Sequence, residues 1–597
     1  MFKKLTRFSI VSFVTLIVVG CSSITNDLFS STELSNWPEA GGPEGNWRYT
    51  SNKSAPVHWS VSRNENILWK IDLPNVGQSG IAVWQDKLFL TTFAEGEGHN
   101  LPPKQRMSGK VLGLCIDKHT GEILWSVDLN GSVPSPMMYS FSDSTSPTPV
   151  TDGERVIFTN ASGEMAAFDF SGKELWRRIF YPWTPKDKFP FNKQHEPILH
   201  GDVVLHVEPL NDHRSEKNKA YFGWNFIRGI DKYTGKTKWI AKDASTTYTT
   251  SVKGVTKDGR HAVLTGRGGP HGVPERPVGL SLISLEQDSA GETITRFLAN
   301  TDMHGNVLEK PGTVGHPTWR ALYNMHWNED YTYMFKLLPK ESVVKISTQT
   351  GEIIDEFQNS QSVDYRPWDI KLGKHGYYPN TNLHKTQDKS PRIKNIKHPD
   401  WALKQLQWAK KKNNVDLNKL GMTVYPASHS NITYKDYLYF LVGTAHTRNT
   451  PMTHQGLLAG PTHSMARLNI TTGKVEFLEL PSKLTPTGEY IYGEELISDT
   501  NNSKGFDVAK DPRTKSDGWS VASFWGSPTI VNGQLYYTTL GGLTYVIDAN
   551  AAVLDASALL SVNDLGEVGK TWSANSVSFS DGVLFHRSAK HLVAIKE

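Results

Sequence analysis

Cys115–Trp125 reads C-I-D-K-H-T-G-E-I-L-W, and this stretch decides the fold. Two apolar, β-branched runs meet at a tight turn built on Asp117, Thr120 and Gly121. Asp and Thr side chains bond their own backbone in such turns, and Gly supplies the positive φ. The pattern recurs as G-I-D-K-Y-T-G-K-T-K-W at 229–239 and F-D-F-S-G-K-E-L-W at 168–176. Weaker copies stand at 345–352 (K-I-S-T-Q-T-G-E) and 468–475 (L-N-I-T-T-G-K-V). A repeat spaced by roughly one four-stranded sheet predicts an array whose units bury their faces against their neighbours.

Working outward, seven such units are legible, with third strands near residues 111–117, 165–170, 226–231, 278–285, 343–347, 466–470 and 543–548. Residues 66–74 (N-I-L-W-K-I-D-L-P) look like a Trp-bearing fourth strand that lacks its first three. Those three appear at the far end, in residues 572–597. The prediction is an all-β, single eight-bladed β-propeller in which an N-terminal strand completes the last blade, so that no sheet edge is left at the ring closure. The turns of the fourth and seventh units are degenerate, which leaves a seven-bladed ring open.

The first 20 residues read as a leader. Lys3, Lys4 and Arg7 precede an apolar run, Phe8–Val19, that is too short to span a bilayer. Its V-V-G-C ending resembles a bacterial lipobox, which makes Cys21 the lipidated first residue of the mature chain. Ser22 after it implies the outer membrane. The membrane is then met through the lipid anchor only. Removing the leader takes away three basic residues and no acid, leaving 61 basic and 60 acidic side chains. That balance excludes a nucleic-acid partner. Cys115 is then the remaining cysteine, which excludes an internal disulfide. Residues 21–61, rich in Ser, Asn, Pro and Gly, read as a tether, and 62–597 as the propeller, with its largest insertions at 357–424, 448–462 and 481–522.

In a blade of this pattern the Thr-Gly turn joins the third and fourth strands on one face. Every long insertion then falls on the opposite face: 94–108, 130–145, 181–194, 209–223, 268–277, 301–318, 357–424, 448–462 and 481–522. Loops on a rigid scaffold are where sites are made. Those loops hold Arg267, His271 and Arg276 in R-G-G-P-H-G-V-P-E-R, and His446 with Arg448. His326-Trp327, Tyr425 with His429, and His195, Arg320, Arg366, Trp525 and Asn575 are placed beside them on inner strands or strand ends. Any one of these is better explained as a rim residue bonding loop backbone; their number points to a funnel. Residues 400–420 read as an amphipathic helix with Trp401, Leu403, Leu406 and Trp408 on its apolar side. The sequence contains no H-E-x-x-H, C-x-x-C or EF-hand pattern, so no metal site is assigned.

The A/G-x-D-x-x-T-G-x-x-x-W turn resembles the repeat of pyrroloquinoline-quinone (PQQ) dehydrogenases and of the outer-membrane barrel-assembly lipoprotein, over roughly residues 47–597. R-G-G-P-H-G-V-P-E-R-P, W-G-S-P and V-N-D-L-G…T-W-S-A-N-S look like PQQ-repeat lipoproteins of marine polysaccharide degraders. That resemblance implies an envelope enzyme acting on an anionic uronate or sulfated glycan by β-elimination, as a lyase or a dehydratase. Arg267, Arg276, Arg320 and Arg448 would bind carboxylate or sulfate, and Trp327 and Trp525 would stack on sugars. His271, His326, His429 or His446 would be the base, with Tyr425 among the acids. This reading needs no cofactor. Two alternatives are a PQQ-dependent dehydrogenase, which implies PQQ with calcium, and a non-catalytic scaffold. The adjacent Cys pair of many such dehydrogenases is impossible here.

Overall fold

The computed structural model describes residues 35–94, 107–133, 135–136, 143–182, 195–210, 224–245, 250–268, 278–299, 319–320, 326–336, 342–369, 372–382, 423–425, 431–445, 459–492, 526–567 and 571–597. Eight sheets, antiparallel apart from one added strand each in blades 6 and 7, form eight blades. The innermost strands of the first five are Ala82–Trp84, Val150–Thr151, Ile198–His200, Val252–Val255 and Trp319–Arg320. In blades 6, 7 and 8 they are Thr423–Tyr425 with Ile432–Tyr434, then Thr529–Val531, then Ser578–Ser580. Ile67–Asp72 pairs antiparallel with His591–Ile595, so the N-terminal strand closes the ring as expected.

The motif folds for reasons visible at each turn. Asp117 Oδ1 accepts from the amides of His119 and Thr120 and from the Thr120 hydroxyl. Gly121 adopts φ +76°, which favours glycine. It is also packed from outside: a Cβ there would lie 2.9 Å from the Trp69 ring of the preceding blade. That indole donates to the Lys118 carbonyl across the same blade junction. Trp125 and Trp176 do the same to the carbonyls of Phe170 and Lys232 in the blades that follow them. The Trp and the Gly of the motif are thus one contact, made between neighbouring blades. The degenerate fourth turn keeps it, with Gly291 beneath Trp239.

The expected tether at 21–61 needs correction for residues 35–61. Trp37, Trp47 and Trp59 are buried, and this stretch runs past the innermost strand of each blade. Ser35 bonds Asp581 of blade 8, Trp37 pairs with Val83 of blade 1, and the Pro38 carbonyl accepts from Thr151 of blade 2. Glu39 accepts from the Leu199 amide of blade 3 and pairs with Lys253 of blade 4 at 2.8 Å. The Trp47 ring meets His326 of blade 5, Arg48 bonds Thr433 of blade 6, and Arg48-Tyr49 adds a parallel strand to blade 7. The strand registers make Val83, Thr151, Leu199, Lys253, Trp327, Thr433, Ile530 and Phe579 equivalent positions of the eight blades. The segment therefore acts as a clasp that closes the axis of the ring at the Thr-Gly face.

Part of the expected 357–424 insertion is sheet. Val363–Arg366 pairs parallel with Val475–Leu480 on the outer edge of blade 6, and Tyr378–Thr381 pairs with it in turn. The expected helix at 400–420 lies outside the described residues.

Candidate functional site: a one-ended polar funnel

The chain enters each innermost strand from the face opposite the clasp. Three residues before each clasp-contacting position stand Gly80, Thr148, Glu196, Thr250, Ser527 and Ser576 in blades 1–4, 7 and 8. Four of these blades are joined by a repeated link. The Gly80 amide donates to Thr148 Oγ1, the Thr148 amide to Glu196 Oε2, and the Glu196 amide to Thr250 Oγ1. Beside them Gln78 N donates to Thr145 Oγ1, and Ser576 Oγ to the Ser527 carbonyl. The orientation of the Asn575 amide that satisfies its surroundings donates to the carbonyls of Gln78 and Ser79. Arg587, fully buried, is held by acceptors that include the Thr91 carbonyl and Ser79 Oγ. Together these groups make a polar belt around the axis, with the clasp beyond it as a floor.

Glu196 is the carboxylic acid among these belt residues. It keeps partial exposure. Burial of its carboxyl, opposed by the bonds from Thr148 and supported by the nearby carboxyl of Glu39, pushes its pKa up to about 7. A carboxyl that titrates near neutrality inside a funnel is a group that can take or give a proton there.

The residues singled out in the sequence fall in several places. Arg267 is buried on the second strand of blade 4, ion-paired with Asp243, which also accepts from Arg296 Nε at 2.7 Å and Ser281 Oγ at 2.5 Å. Its charge is engaged by protein. Trp327 is a correction: its indole is buried, donates to the Val252 carbonyl at 2.7 Å and covers Gly254 of blade 4, so it offers no face to a sugar. His326 is a second one. It has no exposed surface, lies between belt and clasp against Trp47, and burial with the Arg48 charge pushes its pKa well below the usual value. Arg366 lies on the outer edge of blade 6, paired with Glu476 and over Tyr377, away from the axis. Arg320 and Tyr425 are on strands, paired with Phe335 and Gly443. His271, Arg276, His429, His446, Arg448 and Trp525 lie outside the described residues. His195 and Asn575 do sit at the belt, the first bonded to Ser251.

Sequence reasoning missed Glu196. The signal was a polar residue at the entry to the first strand, seen as T-P-V-T at 148–151, E-P-I-L at 196–199 and S-P-T-I at 527–530. Set in register, these place one carboxyl where blades 2, 4, 7 and 8 have a hydroxyl.

The repeat, the eight sheets and the closing strand define the class: a propeller of PQQ-type repeats. Residues 59–267 match the family model described as outer membrane protein assembly factor BamB. No curated protein matches the chain. Similar solved structures include a quinohemoprotein alcohol dehydrogenase from Comamonas testosteroni, 11% identical over 94% of this chain and 80% of that one, TM-score 0.46. A europium-containing methanol dehydrogenase is 9% identical over 90% and 87%, TM-score 0.42. BamB from Moraxella catarrhalis is 10% identical over 76% and 94%, TM-score 0.29.

Proposed function

We propose that the protein is a cell-envelope oxidoreductase of the quinoprotein type, anchored through Cys21, that oxidises a hydroxyl group of a small polyhydroxylated compound in the funnel. Glu196 is the observation that carries this reading. Oxidising an alcohol needs one base for the hydroxyl proton, and a base titrating near 7 is matched to that task. The belt of Ser, Thr, Asn and Gln side chains suits neutral hydroxyls.

β-Elimination beside a uronate makes a different demand, a cation that neutralises the carboxylate. Arg267 is committed to Asp243, Arg587 is enclosed by the Thr91 carbonyl and Ser79 Oγ, and the ionisable groups nearest Glu196 include another carboxyl, Glu39. These features favour the oxidoreductase over the lyase or dehydratase and over an anionic glycan. PQQ with calcium is the cofactor the repeat implies, and it would supply the electron acceptor. Among the described residues no three His, Cys, Asp or Glu side chains gather, so no residue is named as a ligand of its metal. No step is assigned to it.

The test is dye reduction by the purified protein with added PQQ and calcium, over a panel of alcohols and aldoses. Ultraviolet absorbance of a new C4–C5 double bond on uronate oligosaccharides is followed in parallel. Dye reduction that falls at least about 100-fold in Glu196→Gln supports the reading. A double-bond signal without dye reduction overturns it in favour of the lyase. The family match over 59–267 favours a second reading, an assembly scaffold, which silence in both assays would support.

A further inference from the structure

In blades 1, 2, 4 and 7 the clasp bonds the innermost strand through its backbone: Trp37 to Val83, Pro38 to Thr151, Gly45 to Lys253 and Trp47 to Ile530. Blade 3 is held differently. Glu39 Oε2 accepts from the Leu199 amide at 2.5 Å, and Lys253 Nζ donates to the Leu199 carbonyl at 2.8 Å. The two side chains pair with each other, Nζ to Oε1, at 2.8 Å. An ion pair thus clamps both polar backbone groups of one residue, on the blade that carries Glu196 three positions earlier. Glu39 is 1% exposed. Gly45, at φ +62°, lies so close that a Cβ there would meet Glu39 Oε1 and Lys253 Cε, so solvent screens this carboxyl little.

A neutral backbone does the same holding in four other blades, so closing the ring does not require a buried carboxyl at this point. Taking one out of water is costly, and its placement needs a reason. Burial raises the Glu39 carboxyl, against which Lys253 and the Leu199 amide favour its charged form. Leu199 to Glu196 is three residues of strand, about 10 Å at roughly 3.3 Å per residue. Over about that distance, at an effective dielectric of about 20, one unit charge shifts a carboxyl by about one pH unit. A like charge disfavours ionisation of its neighbour, and that is the direction in which Glu39 moves Glu196. The other elements around Glu196 bring hydroxyl and amide groups, Thr148 from blade 2 and Thr250 from blade 4. Lys253 also stands on blade 4, paired with Glu39. His195, the preceding residue, is held neutral by burial.

We propose that Glu39 is a positioning residue for Glu196: acting through the Leu199 backbone and by its charge, it makes the clasp part of the site's chemistry as well as its floor. This role presupposes the reading of Glu196 as the funnel's base.

The experiment follows the carboxyl carbon of Glu196 by NMR in the full-length protein labelled at its Glu side chains, with Glu196→Gln giving the assignment. The wild type should titrate near 7. Glu39→Gln keeps the volume and an oxygen for the Leu199 amide, and should lower the midpoint by at least about 0.5 pH unit. The double variant Glu39→Gln/Lys253→Gln leaves no charge of the pair unmatched and should shift it in the same direction. Trp37→Ala loosens the clasp without changing its charge and should move the midpoint less. A midpoint unmoved in both Glu39 variants overturns the proposal. So does an equal shift in Trp37→Ala, which a purely structural clasp would give. The titration needs no turnover: a midpoint that moves in a protein reducing no dye keeps this coupling and refutes the oxidation.

Discussion

Trp37→Ala separates a clasp from a tether. The Trp37 indole has no exposed surface, its backbone N–H and C=O both bond Val83, and its ring meets Tyr49 edge-on at 6.2 Å. Gly42, at φ +74°, sits so close that a Cβ there would lie 2.8 Å from the ring. Truncating a buried indole to a methyl removes its transfer energy and leaves a cavity that the flanking strands, fixed in blades 8 and 1, cannot collapse into. The expected cost is about 3–5 kcal/mol. Guanidinium unfolding followed by circular dichroism should show a lower midpoint at an unchanged slope, the signature of lost stability with the same surface exposed. A tether residue would change stability by no more than about 0.5 kcal/mol. A result of that size would refute the eight-blade clasp and return residues 35–61 to a linker.

Glu196→Gln should alter the pH dependence of stability. The folded carboxyl titrates near 7 and the unfolded one near its ordinary value of 4.5, so the native state binds the extra proton between them. The wild type should therefore lose stability relative to the Gln variant as pH rises through that window, by at most about 3 kcal/mol and less for a partly exposed group, read as the difference between the two pH profiles. Arg267→Ala should cost about 3 kcal/mol in chemical denaturation, because it strips a buried partner from Asp243, rather than lowering turnover at full stability. Gly235→Ala should destabilise by more than about 1 kcal/mol, since φ is +71° and the added Cβ would lie 2.5 Å from Trp176. Cys21→Ser should release folded protein from membranes, measured by fractionation; retention would point to a different attachment.

The blades were legible because the repeat records a contact rather than a composition. Trp125, Gly121 and Asp117 recur since each blade needs the same turn and the same ring against its neighbour. The split last blade was legible for the same reason, with Trp69 matching a strand missing after Ile595. The clasp was not. Ser, Asn, Pro and Gly between 35 and 61 look like linker, and Trp47 and Trp59 meet partners hundreds of residues away. Loop length pointed to the face opposite the Thr-Gly turns, but most of the residues assigned to it were chosen for type. Trp327 and His326 are polar or aromatic for packing. Arg267 answers Asp243, a pairing across 24 residues that no local pattern announces. Glu196 lay in a plain E-P-I-L entry whose meaning appears once the first strands are set in register.

The central claim is that ligand enters from the long-loop face and stops at the belt. A crystal structure of the protein equilibrated with PQQ, calcium and a polyol substrate tests it most directly. The account predicts density on the ring axis within hydrogen-bond reach of Glu196 and of the Thr148 and Thr250 hydroxyls, with the clasp ordered beneath it. Ligand bound at the Thr-Gly face, or on the outer strands with the axis filled only by water, would contradict it.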